Sequence, residues 1–314
     1  MKLRTFVAPL LAAGLAMSSG ASLVAADSVK IGVVLKTMSS QYWKIMAAGI
    51  KTAAKEHNVN LILLGPPSEN DHEQQINMVQ DVLSQKPAVL IFSPQQPTVA
   101  VNVLLKAKAQ GVPVILVDTG MPASFTDYAT FIGTDNLSAG RLGGQALAGL
   151  LKKGDKVILL DGTPGNLAMN DRIKGAAAVL EAAGMVIAAR QPAYSDREKA
   201  YSVTQNILQA HPDIAGVFTG SDETAMGASR ALLQSGHKAP VISVDGDHDA
   251  LVSILAGDMY GTVAQANYEM GRLAVERALD LVAGKTVPKR IDSGATLTTR
   301  ANAQKLLDFQ AAIK

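Results

Sequence analysis

Residues 29–35, VKIGVVL, run straight into KTMSSQYWKIM at 36–46: a β-branched apolar run followed by apolar residues at three- and four-residue spacing. The first pattern predicts a buried strand and the second an amphipathic helix. The unit recurs along the chain. Strands are expected at VNLILL (59–64), AVLIFS (88–93), PVILVD (113–118), KVILLD (156–161), VIAARQ (186–191), IAGVFTG (214–220), PVISVD (240–245) and YGTVAQ (260–265). Helical periodicity fills 41–56, 70–85, 98–110, 136–151, 166–183, 196–210, 221–235 and 267–283, and a shorter helix is expected at 248–256. Continuous apolar strands separated by helices imply parallel sheets covered on both faces, an α/β fold. The count divides into two βα sets, with the break near ATFIGTDN (129–136), where a short further strand leads into a new helix.

The first residues, MKLRTFVAPLLAAGLAMSSGASLVAAD, carry two basic residues, an apolar core and small residues before Asp27, the pattern of a cleaved export signal over 1–26. Pro9, Gly14 and Ser18-Ser19-Gly20 interrupt the apolar run, which is too short for a membrane span. Cleavage after Ala26 removes Lys2 and Arg4 but no acid, so the formal charge drops from +2 to zero. That argues against nucleic acid as a partner, since such binders carry a clustered basic footprint. The chain has no cysteine, which excludes disulfides, thiolate metal sites and lipidation of a cysteine. Removing 26 of 314 residues leaves 288, long for one core and suited to two lobes in an exported protein, most simply periplasmic.

Enzyme signatures fail in turn. Lys36-Thr37-Met38-Ser39-Ser40 follows the first strand without the glycines a dinucleotide pyrophosphate needs. There is no phosphate-binding Walker sequence and no G-x-S-x-G elbow. DGDHDA (245–250) alternates acids as a calcium loop does, yet Ala250 and Ala256 stand where the turn glycine and the bidentate glutamate belong. The histidines at 57, 72, 211, 237 and 248 are isolated, without metal-ligand spacing. No catalytic residue, cofactor or metal is expected. What remains are the strand ends, where ligands of open α/β sheets bind: Lys36, Ser93, Asp118, Asp161, Ser221, Asp245 and Gln265, a set able to bond hydroxyl groups.

Over almost the whole mature length the chain resembles the periplasmic sugar-binding proteins of ABC transporters, the ribose-type cluster, and within it the D-allose binders. The resemblance rests on VVLKT with a following aromatic-Trp pair, PSENDHEQQINMVQDV, PVILVD, TDNLSAGR, DRIKG, QPAYSDREKA, LQAHPDIAGVFTGSDETAMGA and VISVDGD taken together. It implies two Rossmann-like lobes joined by a three-segment hinge, the type I periplasmic-binding-protein fold. The N-terminal lobe would comprise 27–132 and 267–294, the C-terminal lobe 133–266 and 295–314. By position it puts Lys36, Ser40, Tyr42, Trp43 and Asp118 on one wall of a cleft and Arg172, Ser221 and Asp245 on the other, with Gln265 at the hinge. It further implies a monosaccharide or polyol ligand, an inner-membrane permease as partner, a chemoreceptor as a further one, and a monomeric receptor. Independently of family, aspartates suit pairs of sugar hydroxyls, Arg172 and Lys36 can donate to ring oxygens, and Tyr42 and Trp43 suit C–H faces.

Three positions depart from the pattern: Thr119 follows Asp118 where an arginine or glutamate is usual, Ser195 replaces an aromatic with Tyr194 beside it, and Ser221 replaces an asparagine. Each shortens a sugar contact, so a wider pocket or an acyclic ligand is an open alternative. A secreted glycosidase-type enzyme using Asp118 and Asp245 as paired carboxylates is the rival of another class. A LacI-type regulator would need a helix-turn-helix where the export signal stands. Removing Arg172 or Asp118 is expected to abolish binding while leaving the free protein's stability nearly unchanged.

Overall fold

The computed structural model describes Met1 and residues 28–313; the export signal expected over 1–26 and its cleavage point otherwise lie outside the described residues. The chain begins β1 (Lys30–Val34), α1 (Gln41–Glu56), β2 (Asn60–Leu64), α2 (His72–Ser84), β3 (Val89–Phe92), α3 (Pro97–Ala109), β4 (Val114–Val117) and β5 (Thr130–Gly133). It continues as α4 (Asn136–Ala148), β6 (Lys156–Asp161), α5 (Leu167–Ala182), β7 (Val186–Pro192), α6 (Arg197–Ala210), β8 (Ile214–Thr219), α7 (Asp222–Ser235), β9 (Val241–Asp245), α8 (His248–Ala256) and β10 (Gly261–Gln265). Then come α9 (Asn267–Val282), β11 (Arg290–Asp292), β12 (Ala295–Thr299) and α10 (Ala303–Ala312).

The strands form two six-stranded sheets of matching order, β2-β1-β3-β4-β5-β11 and β7-β6-β8-β9-β10-β12. Each has hydrophobic clusters on both faces, as continuous apolar strands require. In the first sheet Val33, Ile91 and Ile115 pack with Met46 and Ile50 of α1 and Val275 of α9, while Val34, Leu90 and Phe92 pack with α2 and α3. In the second, Val157 and Leu159 face α4 and α5, and Ile158 and Leu160 face α6 to α8. Each such buried aliphatic side chain contributes about 1.5–3 kcal/mol.

The chain passes between the sheets three times, after β5, after β10 and between β11 and β12. Main-chain and side-chain bonds lace these passages: Ser293 N donates to Gly133 O at 3.1 Å, Ala266 N to Gly294 O at 3.3 Å, and Asp135 N to the Asp292 carboxylate at 3.0 Å.

One sheet departs from the all-parallel expectation. β12 runs antiparallel to β10, with Gln265 opposite Ala295. β10 leaves the second sheet where the chain passes to α9, and β12 re-enters at that same end. A neighbouring strand entering there must run the other way.

Candidate ligand cleft

In each sheet the strand order reverses beside the first strand of its set, at β1/β3 and at β6/β8, which is where open α/β sheets form a ligand crevice at the carboxyl ends. In the first lobe that crevice is braced by Gln75. Its buried amide donates to Leu35 O at 3.0 Å and Ser93 O at 2.9 Å, and its oxygen accepts from Gln95 N at 2.9 Å. Gln95 in turn donates to Lys36 O and Ser68 O.

Lys36 therefore leaves a fixed strand end. Its ammonium lies 3.4 Å from the Asp118 carboxylate and 5.5 Å from the centre of the Trp43 ring. Asp118 also accepts from the Tyr42 hydroxyl at 2.8 Å and from Thr119 at 2.7 Å. Burial pushes the Asp118 carboxyl up, but Lys36, Thr119, Tyr42 and Arg172 outweigh it and hold it below the ordinary carboxylate range. Burial, reinforced by Asp118, raises Tyr42 well above the usual phenol range, so it remains an O–H donor.

The second lobe answers with Arg172, only 4% exposed on α5. Its Nη1 donates to Asp245 Oδ1 at 2.7 Å and Gly220 O at 2.9 Å, and its Nε to Asn136 Oδ1 at 2.8 Å. Gln265 joins the halves: it accepts from Thr134 at 2.8 Å, donates to Asp245 at 2.8 Å and approaches the Tyr42 hydroxyl at 3.5 Å. Burial raises the Asp245 carboxyl, opposed by Arg172 and Gln265. Behind it Asp222, raised to about 7 by burial and the neighbouring Asp245 charge, accepts from Ser243, Thr262, Gly246 N and Asp247 N. Burial, with the Asp245 and Asp222 charges, also raises Asp247 well above its usual value.

Both aspartates at facing strand ends have positive φ, +61° at Asp118 and +145° at Asp245. The second lies in a region essentially reserved for glycine, where strain persists only if the surroundings over-determine it.

Lys36, Tyr42, Asp118, Arg172, Asp245 and Gln265 are thus drawn into one polar constellation. The other expected residues are placed differently. Trp43 is 3% exposed, packed edge-on to Tyr42 in the α1 core, and its indole N–H is taken by Glu69. Ser221 is buried at the start of α7, where its hydroxyl accepts from Thr224 N. Ser40 occupies the N-cap of α1 without a side-chain capping bond. Ser195 and Tyr194 form a left-handed pair, at φ +54° and +60°; Tyr194 is 47% exposed with Lys199 over its ring at 5.9 Å. Sequence reasoning missed Gln75, Asn136, Thr134 and Asp222. All four lie inside the motifs that carry the resemblance, and for Gln75 and Asp222 the usable signal was a polar residue at a helical position whose neighbours on that face are apolar.

Two α/β lobes with three passages between them, and charged side chains converging from both strand-end edges, are the architecture of a hinged solute-binding protein. The chain belongs to the periplasmic binding protein family, whose domain model matches residues 31–286. It is 34% identical over 270 residues to the ribose import binding protein of Bacillus subtilis, covering 86% of this chain and 87% of that protein. It is 29% identical to the D-allose-binding periplasmic protein of Escherichia coli, over 88% of this chain and 90% of the other. Among solved structures, a periplasmic solute-binding protein of an ABC transporter from Actinobacillus succinogenes with bound D-allose superposes with a TM-score of 0.81 at 27% identity, covering 88% of this chain and all of that one. A carbohydrate-transporter solute-binding protein from Agrobacterium radiobacter in complex with D-arabinose gives 0.77 at 28% identity, over 92% of this chain and 100% of the other.

Proposed function

We propose that this protein is the periplasmic substrate-binding component of an ABC importer, and that it encloses one monosaccharide of the ribose or allose type between its lobes for delivery to the inner-membrane permease. The observation that carries the reading is the pairing of each cleft carboxylate with a cation: Asp118 with Lys36, Asp245 with Arg172. Such pairs present fixed acceptors and donors to adjacent hydroxyls, and hydrogen bonds to charged groups contribute roughly 1.5–3 kcal/mol each. Relatives named for ribose and D-allose support that ligand class. Export with cleavage after Ala26 completes the proposal.

A sugar alcohol is the second reading. No aromatic stands at Ser195, and Tyr194 turns outward under Lys199, so the far face of a ring lacks the expected stacking partner. An open-chain ligand needs no such partner.

The test is a thermal-shift screen of mature protein against D-ribose, D-allose, D-arabinose and the corresponding alditols. A ligand at a hundred times its dissociation constant stabilises the folded state by about 2.7 kcal/mol. Stabilisation by a pentose or hexose supports the first reading, and by alditols alone the second. No shift with any of them overturns both.

A further inference from the structure

We infer that Asp222 is a positioning residue for ligand binding: its carboxyl group holds the strained 245–247 turn that presents Asp245 to the cleft. The inference rests on the proposed role of Asp245 as a ligand contact, but its structural half stands without it. Asp222 is 1% exposed at the first position of α7. One of its oxygens accepts from Gly246 N at 2.8 Å and Asp247 N at 2.7 Å, the two amides immediately after Asp245. The other accepts from Thr262 on β10 at 2.7 Å and from Ser243 on β9. A single carboxyl group thereby ties α7, β9, β10 and the turn together.

The turn needs such a tie. Asp245 at φ +145° and Gly246 at +87° are consecutive positive-φ residues, and only the second is a glycine. An aspartate in that conformation is strained and persists there only if its surroundings hold it. Besides Asp222, the turn is held by Gln310 of α10, whose amide donates to Gly246 O at 2.7 Å. The Asp245 side chain is fastened at its far end by Arg172 and Gln265, and the Asp222 N–H approaches its second oxygen at 3.4 Å. Without Asp222 the buried Gly246 amide and the partly buried Asp247 amide lose their acceptor. The turn can then relax toward ordinary backbone, swinging Asp245 away from Arg172.

The role predicts which replacement is tolerated. Asparagine in place of Asp222 would keep an acceptor oxygen toward the two amides, whereas alanine removes it and glutamate displaces it by a methylene. The test compares Asp222→Ala, Asp222→Glu and Asp222→Asn in the full mature protein. D-allose and D-ribose affinity is read by calorimetry, and amide hydrogen exchange at Gly246 and Asp247 by NMR without ligand.

Alanine and glutamate should each weaken affinity by about tenfold or more, the scale of one lost charge-assisted hydrogen bond. Both should raise exchange at Gly246 and Asp247, and asparagine should restore most of each. Affinity within twofold of wild type in folded Asp222→Ala or Asp222→Glu, or unchanged protection of the two amides, overturns the inference. If the alanine variant does not fold, the glutamate variant decides. If wild type binds neither sugar, the proposed ligand class fails while the exchange data still decide whether Asp222 holds the turn.

Discussion

Arg172 shows what a side chain does that sequence can name but not weigh. From the sequence it reads as a cleft residue whose removal should leave the stability of the free protein nearly unchanged. The structure corrects that expectation, because its guanidinium is buried and shared between Asp245, Gly220 O and Asn136. Replacing Arg172 by methionine keeps much of the volume but leaves Asp245 charged and unpaired. Breaking a buried pair from one side costs about 3–5 kcal/mol, so denaturant unfolding at neutral pH should show a loss near the low end of that range, since Asp245 keeps some solvent contact. Sugar affinity should fall with it. The pH dependence has a definite sign. The Asp245 carboxyl is already raised in the folded protein, chiefly by burial, and loses the opposing Arg172 charge in the variant. A group whose folded value exceeds its unfolded one takes up its proton more readily when folded, so stability is gained as pH falls through the raised value. The variant's deficit should therefore shrink on acidification from neutrality toward the unfolded carboxyl value. A deficit that stays constant or grows would mean Arg172 acts through packing alone. Asp118 differs in kind: its carboxyl is held below the ordinary range, so its contribution is lost as pH falls.

Helices bring these residues to the cleft, and one glycine-lined helix pair carries Arg172. α4 and α5 approach through glycines: a Cβ on Gly140 would lie 1.9 Å from the Arg172 carbonyl oxygen, and one on Gly175 2.2 Å from Leu137 O. Both obstacles are backbone, so neither can rotate aside. Gly140→Ala must push α5 outward. Overpacking of this sort costs about 1–3 kcal/mol or more, and here it also moves the arginine whose reach to Asp245 is a single hydrogen bond. The expected outcome is a lower melting temperature together with weaker sugar binding. Gly149→Ala, at φ −66° and with its nearest obstacles at 3.5 Å, should change neither appreciably. Normal affinity in Gly140→Ala would show that α5 can shift without moving Arg172. At this scale much of the architecture was legible in the sequence. α1 and α8 begin and end where apolar spacing places them, at 41–56 and 248–256, and the parallel strands follow the apolar runs. β11, β12 and α10 do not stand out as elements. RID is three residues long, two of them charged, ATLTT has no continuous apolar run, and α10 buries only Ala303 and Gln310, so none carries the periodic signal that marks a core-facing element. The site was legible to the same degree: charged residues at strand ends stand out, whereas the turn of Trp43 and Ser221 into the interior depends on Glu69 and Thr224, which periodicity does not connect to them.

The whole molecule is coupled where its three passages meet, and Gln265 is the node. It ends β10 at the second passage, accepts from Thr134 at the first, donates to Asp245 of the second lobe and approaches Tyr42 of the first. Tyr42 is fixed in turn, since its carbonyl accepts from Asn267 at the start of α9. Arg290 donates to Gly133 O and Thr134 O, tying β11 to the first passage. A rotation of the lobes about these segments must therefore be felt at Gln265, and a ligand contact there reports on both walls at once. Hinge closure around a ligand is the motion this architecture permits. Small-angle scattering of the wild type should show a smaller radius of gyration with saturating D-allose or D-ribose than without. In Gln265→Leu the side chain keeps its size but loses every one of these bonds. Affinity should drop about tenfold or more, the equivalent of one hydrogen bond to a charged group, and compaction at saturation should be reduced, because nothing then links Asp245 to Thr134 as the lobes approach. An unaltered dissociation constant with full compaction would place the coupling elsewhere, in the backbone bonds between 133 and 294. Weakened binding with full compaction would make Gln265 a ligand contact without a part in closure, and only the two losses together identify it as the point through which ligand and hinge communicate.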